Sequence, residues 1–557
     1  MAIRSRSSGQ EDFDAEVPDK YVRWLMPSIG DLIFVALLGL LTFTSLSARL
    51  LGDAGIGWHI RTGQLILATH AVPRADPFSS TMAGQPWFAW EWLYDVLVGW
   101  LDRFAGLNGV VFFTALIIAL TFAWSFRLLL RWSTNFLVAL GLVLLAASAS
   151  MIHFLTRPHV VSWLFTVLCF GVLESYERQG RGSSADAPRH FLWLVPAVML
   201  VWVNLHGGFL VGLVLLGIYW LSAVWQWLSL KEDRLEDALS KIQAGKRARA
   251  LALVAILSAL ATLANPYGWK LHLHIYRYLS NRFLMDHIDE FQSPNFHGVA
   301  QKCFAALLML AFVAVVARKH ESSELRASGI LVVLFAMLSG LYASRNIPAS
   351  SLLLVLVIGP WLSDATQNLV CLFAKRRSLL APQTGASPHF AQRMQGIESS
   401  LHGHLWPIAA VLLTAWIAFH GGTLGATPFM HARFSGKRFP VAAVNYMVNN
   451  GARGPIFAPD SWGGYLIYRL YPQAKVAVDD RHDLYGEQFL KSYLKTLHAE
   501  AGWQNFFDQY PVRCVVIPKD SALANLLAAT PGWHEIYGDQ LAVIFVPTLS
   551  ESAKVHS

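Results

Sequence analysis

Charge is scarce in this sequence. Only 14% of its 557 residues are Asp, Glu, Lys or Arg and 54% are hydrophobic, whereas soluble proteins carry about 25% charged residues. The four cysteines show no metal-ligand spacing, and Cys514 alone lies in the last quarter of the chain, so that part closes no internal disulfide. No P-loop, glycine-rich dinucleotide motif or basic stripe is present, which argues against nucleotide and nucleic-acid binding. Such a chain is expected in a membrane.

Eleven hydrophobic runs approach the length that crosses a bilayer, roughly 17–25 residues. They are predicted at 30–48, 108–126, 134–152, 159–176, 190–204, 209–228, 249–264, 300–317, 328–343, 347–364 and 404–421. Two of them, the fifth and the seventh, are short, so the number of spans is about eleven. The sequence therefore predicts a polytopic α-helical membrane protein.

The distribution of Lys and Arg predicts the orientation. With a cytoplasmic N-terminus, the inner segments hold 22 of these residues and the outer loops hold ten, as the positive-inside rule requires. We therefore predict a cytoplasmic tail at 1–29, with the first span retained as an anchor. A membrane domain at 30–425 follows, with a large external loop at 49–107 and a cytoplasmic loop at 365–403. The expected location is the plasma (inner) membrane, which the chain crosses many times.

The C-terminal part changes character at about residue 432. Short strand-like runs such as PIFAPD, KVAVDD and RCVVIP alternate with helical segments such as WGGYLIYRLYP and GEQFLKSYLKTL. This alternation is typical of a small α/β sheet, so residues 432–550 are predicted to form an extracytoplasmic α/β domain. WHEIYG and LAVIFVP flank Asp539 and Gln540, which predicts an antiparallel hairpin at one edge of the sheet.

Ionisable side chains gather in the predicted external loops. They are Asp53, His59, Arg61, Asp76 and Glu91 in the first loop, His153, Arg157 and His159 in the second, His206 in the third and Arg345 in the fifth. Ionisable groups at membrane depth usually line a cavity. A cavity ringed by Arg and His suits an anionic head group, such as the phosphate ester of a long lipid. The acidic run in the fourth loop, with Asp286 and Glu290, matches no strong ligand spacing, so no metal or other cofactor is predicted and metal dependence stays open.

Two short helices are predicted within the first loop. WHIRTGQLILATH would turn Trp58, Leu65 and Ile66 toward lipid, and WFAWEWLYDVLVGWLDRF would carry its acids on a solvated face. Amphipathic segments rich in Trp and Tyr are typical of helices that lie in the membrane interface. The acids of the second helix are Glu91, Asp95 and Asp102.

An acidic residue directly after the first span, two juxtamembrane helices, many spans and an exported C-terminal domain together resemble the GT-C superfamily of membrane glycosyltransferases. This superfamily includes protein mannosyltransferases and lipid A aminoarabinose transferases. The segments GDAGIGWHIRTGQLILATHAVPRADPFS, NPYG and WGGYLIYRLYPQAKVAVDDRHDLYG look more specifically like a group of bacterial GT-C-like proteins. The resemblance covers nearly the whole chain, and its motifs are specific to the group but not to a substrate.

The resemblance implies a sugar transferase that uses a polyprenyl- or dolichyl-phosphate sugar, inverts the anomeric carbon and acts on a glycan, lipid or protein acceptor outside the membrane. Asp53 takes the position of the loop acid, so it would act as the general base. Positive or hydrogen-bonding groups would hold the leaving phosphate; the candidates are His59, Arg61, Arg157, His159, His206 and Arg345. Many members carry two carboxylates in a DE, DxD or ExD motif, whereas Ala54 and Gly55 follow Asp53 here. Secondary candidates are Asp76, Glu91, Asp479 and Asp480.

Simpler interpretations stand beside these assignments. Asp53 could cap the next helix, His59 and Arg61 could be interfacial anchors, Arg157 could end a span, and the acids around Asp480 could cap a turn. Two other classes of protein also remain open. An O-antigen polymerase or ligase usually centres its chemistry on a large late loop, and a transporter or scaffold would place charges in mid-span. The early loop at Asp53 favours the transferase.

Overall fold

The computed structural model describes residues 20–179, 189–231, 234–317, 326–378, 394, 396–398, 400–401, 403–451 and 454–548. Its helices are α1 (Lys20–Leu25), α2 (Ile29–Phe43), α3 (Leu46–Leu50), α4 (Ile56–Thr69), α5 (Trp92–Arg131), α6 (Phe136–Ser150), α7 (His159–Gln179), α8 (Leu194–Leu205), α9 (Phe209–Ser229), α10 (Leu235–Ala261), α11 (Trp269–Leu279), α12 (Arg282–His287), α13 (Val299–Ala317), α14 (Ala327–Tyr342), α15 (Ile347–Ser378), α16 (Leu405–Phe419), α17 (Val441–Asn449), α18 (Asp460–Leu470), α19 (His482–Tyr485), α20 (Glu487–Leu497), α21 (Gln504–Gln509) and α22 (Ala522–Ala529). Short 3-10 turns occupy Met151–His153, Arg189–Trp193, Asp289–Phe291 and Ser344–Asn346.

The predicted membrane helices are confirmed. Within the described residues, seven helices are long and apolar enough to cross a membrane, and three shorter apolar helices accompany them. Each of the eleven predicted runs falls on a helix. The seventh lies in α10, which is not one of these ten apolar helices and carries Lys246, Arg247 and Arg249 near its middle. Large apolar side chains such as Phe312 and Leu338 are 70% exposed on the outside of the bundle, as lipid contact requires. Residues 1–19 of the predicted tail and residues 379–393, 395, 399 and 402 of the predicted loop 365–403 lie outside the described residues. The first part of that loop, 365–378, continues α15 as a helix.

The first external loop folds into α4 and the start of α5. The two helices cross closely at Gly63, where a Cβ atom would overlap the backbone of Asp95. α5 then turns at Gly106, whose φ of 58° is easily adopted only by glycine, and continues into the membrane. The prediction that Trp58 and Ile66 face lipid is wrong, because both are buried; Leu65 is half-buried. α4 is covered by the C-terminal domain, not by lipid.

The C-terminal part contains a four-stranded sheet in the order β3-β4-β6-β5, formed by Ile456–Phe457, Cys514–Pro518, Ala542–Pro547 and Trp533–Gly538. β3 pairs with β4 in parallel, and the other pairs are antiparallel. The predicted edge hairpin is therefore confirmed. A separate two-stranded ribbon, β1 (Thr423–Leu424) with β2 (Thr427–Pro428), precedes the domain. The strand predicted at KVAVDD shrinks to isolated bridges from Val476 to Ile456 and to Ser79.

Glycines attach the C-terminal domain to the first loop. A Cβ on Gly57 of α4 would overlap the carbonyl oxygen of Gly464 in α18, and a Cβ on Gly464 would overlap the backbone of Ala54. Gly463 meets the backbone of Asp479 in the same way. The WGG segment is therefore required because two helices and a loop approach to backbone contact. This docking brings residues 479–483 to the membrane domain.

Candidate functional site

A cavity lies where the ends of several helices meet the C-terminal domain. Asp53 precedes α4, Glu91 precedes α5, Arg157 precedes α7, His206 follows α8 and Arg345 lies in the turn before α15. The side chains that line the cavity are Asp53, Trp58, His59, Trp87, Phe88, Ala89, Trp90, Glu91, Asp95, Leu155, Arg157, Pro158, His159, His206, Tyr278, Glu290, Arg345, Asp480, Arg481 and Asp483. Polar groups from both parts of the chain therefore share one space.

Arg157 joins the two parts through a pair of carboxylates. Its Nη2 atom lies 3.2 Å from Asp53 Oδ1 and 2.6 Å from Asp480 Oδ2. Asp480 Oδ1 also accepts a hydrogen bond of 2.9 Å from the indole N–H of Trp58. Asp53 Oδ1 accepts from the backbone N–H of Gly55 at 2.7 Å. Gly55 is itself the N-cap residue of α4, which has no side-chain cap, so this bond is a turn contact and not the helix cap that was considered for Asp53. Among the described contacts, Asp53 Oδ2 has no partner, and the Asp53 side chain is 29% exposed.

Glu91 lies between two histidines at the centre of the cavity. Its carboxyl oxygens are 3.8 Å from His59 Nε2 and 3.7 Å from His206 Nε2. On its far side, His59 Nδ1 lies 2.5 Å from Asp95 Oδ1, and His59 Nε2 lies 3.5 Å from Arg157 Nη1. Glu91, Asp95 and Asp102 were expected on a solvated face, and this is wrong for Glu91 and Asp95. Glu91 and Asp95 are buried, and Asp102 accepts hydrogen bonds from Gln64 and Tyr468.

Arg345 marks the other end of the cavity. Its Nη1 atom donates to Glu290 at 3.1 Å, and its Nη2 atom lies 3.1 Å from His206 Nε2. The guanidinium is 29% exposed and Glu290 is 41% exposed, so this pair is open at the cavity. Arg345 and Arg157 thus lie at opposite ends of the series His206, Glu91 and His59.

Burial controls the ionisation of this centre. It raises the pKa of Glu91 to about 8, against the opposing influence of Arg345 and Arg157, so Glu91 carries a proton at neutral pH. Burial also lowers the pKa of His59 and of His206 well below the usual histidine value, and nearby arginines lower both further. The middle of the cavity is therefore neutral at neutral pH, while formal charges lie at its two ends.

The Asp480 end is charged under the same conditions. Burial raises the pKa of Asp480 to about 6, although Arg157 opposes the shift. Burial disfavours a charged Arg157, but the carboxylates of Asp53 and Asp480 outweigh it and raise its pKa. Above pH 6 the three groups form an ion triad with one positive and two negative charges.

Arg481 also lines the cavity, but its guanidinium is engaged by other side chains. It is buried, pairs with Asp76 at 2.9 Å and with Asp479 at 2.7 Å, and lies over the Trp87 ring at 4.6 Å. Asp76 also accepts backbone N–H groups from Phe78 and Ser79. Asp76 and Asp479 thus hold the turn that presents Asp480.

The predicted site residues divide into two groups. The cavity contains Asp53, His59, Glu91, Arg157, His159, His206, Arg345 and Asp480, whereas Arg61, Asp76 and Asp479 do not line it. Arg61 donates to the carbonyl of Tyr468 and stacks over its ring, which fixes α18 on α4. His159 contacts the carbonyl of His153 at 2.9 Å. Reasoning from sequence missed Ser162 and Trp202, since a serine and a tryptophan inside apolar runs give no signal.

No profile of a known protein family matches the sequence, and no curated protein matches it significantly. Its structure is similar to that of the oligosaccharyltransferase of Archaeoglobus fulgidus. The form tethered to an acceptor peptide with the NVT sequon gives a TM-score of 0.55 at 11% identity, over 95% of this chain and 74% of that chain. The apo form gives 0.54 at 10% identity, over 90% and 70%. ArnT of Cupriavidus metallidurans bound to undecaprenyl phosphate gives 0.46 at 14% identity, over 94% and 97%.

The similarity to the archaeal enzyme shows the fold. This chain has a GT-C fold, which is a polytopic helical membrane domain followed by a C-terminal domain. The predicted resemblance is confirmed at that level.

Proposed function

We propose that this protein is a membrane glycosyltransferase that moves a sugar from a polyprenyl-phosphate donor to an acceptor hydroxyl or other nucleophile outside the membrane. The observation that carries the proposal is the cavity's arrangement, with a carboxylate oxygen free at one end and an open cation at the other. Those are the two groups that such a transfer needs. The GT-C fold supplies the membrane setting.

Asp53 is the proposed base. Its Oδ1 atom is held by Gly55 N–H and Arg157, while its Oδ2 atom is left to accept the acceptor's proton. As the proton moves to Oδ2, the acceptor oxygen forms a bond to the anomeric carbon and the carbon–oxygen bond to the lipid phosphate breaks. The phosphate leaves with the electron pair.

Arg345 is the proposed cation for that phosphate. It lies across the neutral centre from Arg157, and its one carboxylate partner, Glu290, is partly exposed. A base at one end and a phosphate site at the other would place attack and departure on opposite faces of the sugar, so the anomeric carbon would be inverted. Protonated Glu91 lies between them and can donate a hydrogen bond to the sugar or to its glycosidic oxygen.

Arg157 has a different role in this scheme from the one expected from sequence. It is neutralised by two carboxylates, so it orients Asp53 instead of binding the phosphate. The second carboxylate, which the DAG sequence after the first span does not provide, comes from Asp480 in the C-terminal domain. We propose that this domain is part of the active site.

The test is Asp53→Asn in an assay of sugar transfer from a radiolabelled lipid-phosphate donor pool. We expect a loss of about 10²–10⁴-fold, the usual contribution of a positioned base, with unchanged expression and thermal unfolding. The matched control is Asp286→Asn, because Asp286 is 64% exposed and does not line the cavity. A full rate for Asp53→Asn, with the control also active, contradicts the proposed role.

A further inference from the structure

The hydrogen bonds around His206 determine which of its ring nitrogens carries the proton. The backbone N–H of Gly208 points at His206 Nδ1 at 3.0 Å. Because a backbone N–H only donates, Nδ1 must be the acceptor. Neutral imidazole has one donor and one acceptor nitrogen, and His206 is neutral because burial lowers its pKa. Nε2 therefore carries the hydrogen.

A serine and a tryptophan complete this arrangement. Trp202 donates its indole N–H to Ser162 Oγ at 2.7 Å, which leaves the Ser162 hydroxyl hydrogen free to point at His206 Nδ1, also at 2.7 Å. All three side chains are buried. A Cβ at Gly208 would overlap Ser162 Oγ, so the glycine is what allows the hydroxyl and the backbone N–H to reach the same nitrogen.

The consequence appears on the cavity side of the ring. His206 Nε2 lies 3.1 Å from Arg345 Nη2, yet both atoms carry hydrogens. This contact brings two donors together. Glu290 accepts from the other amino group of Arg345, Nη1, at 3.1 Å. The carboxyl oxygen described near His206 Nε2, on Glu91, is 3.7 Å away and belongs to a group that is protonated at neutral pH. Two adjacent donors without an acceptor between them form a site for an anionic oxygen.

We infer that His206 Nε2–H and Arg345 form an oxyanion site for a phosphate, and that Ser162 is a positioning residue that fixes the His206 tautomer for it. The inference rests on the proposed function, since it names the group that receives the leaving phosphate. Ser162 itself touches no substrate. It acts by holding the ring so that a hydrogen, and not a lone pair, points at the phosphate oxygen.

Substitutions of His206 separate the two tautomers. His206→Gln places an amide N–H near the position of Nε2, whereas His206→Asn can replace only Nδ1. We expect the purified protein to bind undecaprenyl phosphate with a Kd within about threefold of wild type in His206→Gln, and about ten- to a hundredfold weaker in His206→Asn, as for a lost hydrogen bond to a charged group. Equal losses in both variants would overturn the inference. Inorganic phosphate is a second probe. If it competes with undecaprenyl phosphate at equal potency, the protein recognises the phosphate head group alone.

The tautomer can be read without any ligand. In ¹⁵N spectra of histidine-labelled protein, the signal that disappears in His206→Gln should show a protonated Nε2 and an unprotonated Nδ1. Ser162→Ala should move this signal toward a mixture and weaken undecaprenyl phosphate binding several-fold. Ser125→Ala, which removes a buried hydroxyl bonded only within its own helix, should change neither. A protonated Nδ1 in wild type overturns the inference. If wild type shows the expected tautomer but binds no undecaprenyl phosphate, the proposed donor is wrong and the role of Ser162 in fixing the ring is still supported.

Discussion

Asp480 Oδ2 lies 2.6 Å from Arg157 Nη2, although the two residues are 323 positions apart in the chain. Arg157 belongs to a turn between two membrane helices, and Asp480 belongs to the C-terminal domain. The same guanidinium also contacts Asp53 at 3.2 Å. The ion triad is thus formed by three distant segments.

Asp480→Asn tests whether this contact serves the reaction. Asp480 has a pKa of about 6, so its negative charge and its ion pair with Arg157 are present above pH 6 and are lost as the pH falls through 6. We expect kcat/KM of wild type to decline below pH 6 and the variant to be at least about tenfold slower at pH 7.5, without that decline, since a broken buried ion pair costs several kcal/mol. Asp508→Asn, exposed in the same domain, is the control. If kcat/KM of Asp480→Asn still declines below pH 6 as in wild type, a group other than Asp480 causes the decline.

Glu91→Gln tests the protonated centre through stability. The pKa of Glu91 rises from about 4.3 in an unfolded chain to about 8 in the folded protein. Between these values the folded state holds the extra proton, so this group makes the free energy of unfolding fall as the pH rises from about 4.5 to 8. The fall is at most about 1.4 kcal/mol per pH unit. Thermal unfolding in detergent should therefore depend more weakly on pH in Glu91→Gln than in wild type or in the exposed control Glu487→Gln. An equally steep dependence in Glu91→Gln would mean that Glu91 is ionised in the fold.

Gly57→Ala and Gly464→Ala test the docking of the C-terminal domain. Each adds a methyl group where backbone atoms already touch, and overpacking of this kind costs about 1–3 kcal/mol. We expect a lower unfolding temperature, faster proteolysis between residues 432 and 460, and reduced transfer. Gly39→Ala adds a methyl group to α2 where no atom lies within 4 Å, so it should be neutral. Normal protease resistance in both docking variants would show that the interface can adjust.

Reporter fusions test the predicted sidedness. The Lys and Arg distribution places residues 432–557 outside and 365–403 inside, so alkaline phosphatase fused after residue 430 should be active and a fusion after residue 390 should be inactive. The measurement is the ratio of phosphatase activity to fusion-protein level. Activity in the reverse order would invert the topology of the whole chain.

The local sequence pattern was enough to predict the helices and strands, but not to predict which distant segments pack against them. The eleven helices and the β5–β6 hairpin were predictable because apolar length and strand alternation are properties of short segments. The prediction that Trp58 faces lipid failed for the opposite reason, because its environment depends on a distant segment of the chain. A tryptophan on a short amphipathic helix is typical of a membrane interface, but α4 is covered by α18, which begins some 400 residues later in the chain.

The site residues show the same division. Asp53, His206 and Arg345 were predictable because ionisable groups at the ends of apolar helices are costly unless they serve a cavity. The acids Glu91 and Asp95 were predicted on a solvated face, with Glu91 kept as a secondary site candidate, because their histidine partners come from another helix or another loop. Ser162 could not be predicted at all, because its role depends on the direction of one backbone N–H at Gly208.

Because the cavity combines residues from early and late parts of the chain, its residues are synthesised at different times. A growing chain completes Asp53 and Arg157 early, but Asp480 is made only when most of the 557 residues have been joined. The membrane domain can therefore be inserted with its charged groups in place and its triad unfinished. The ion triad of Arg157, Asp53 and Asp480 forms only when the C-terminal domain has folded against α4, so a truncated or stalled product would lack the contact between Asp480 and Arg157.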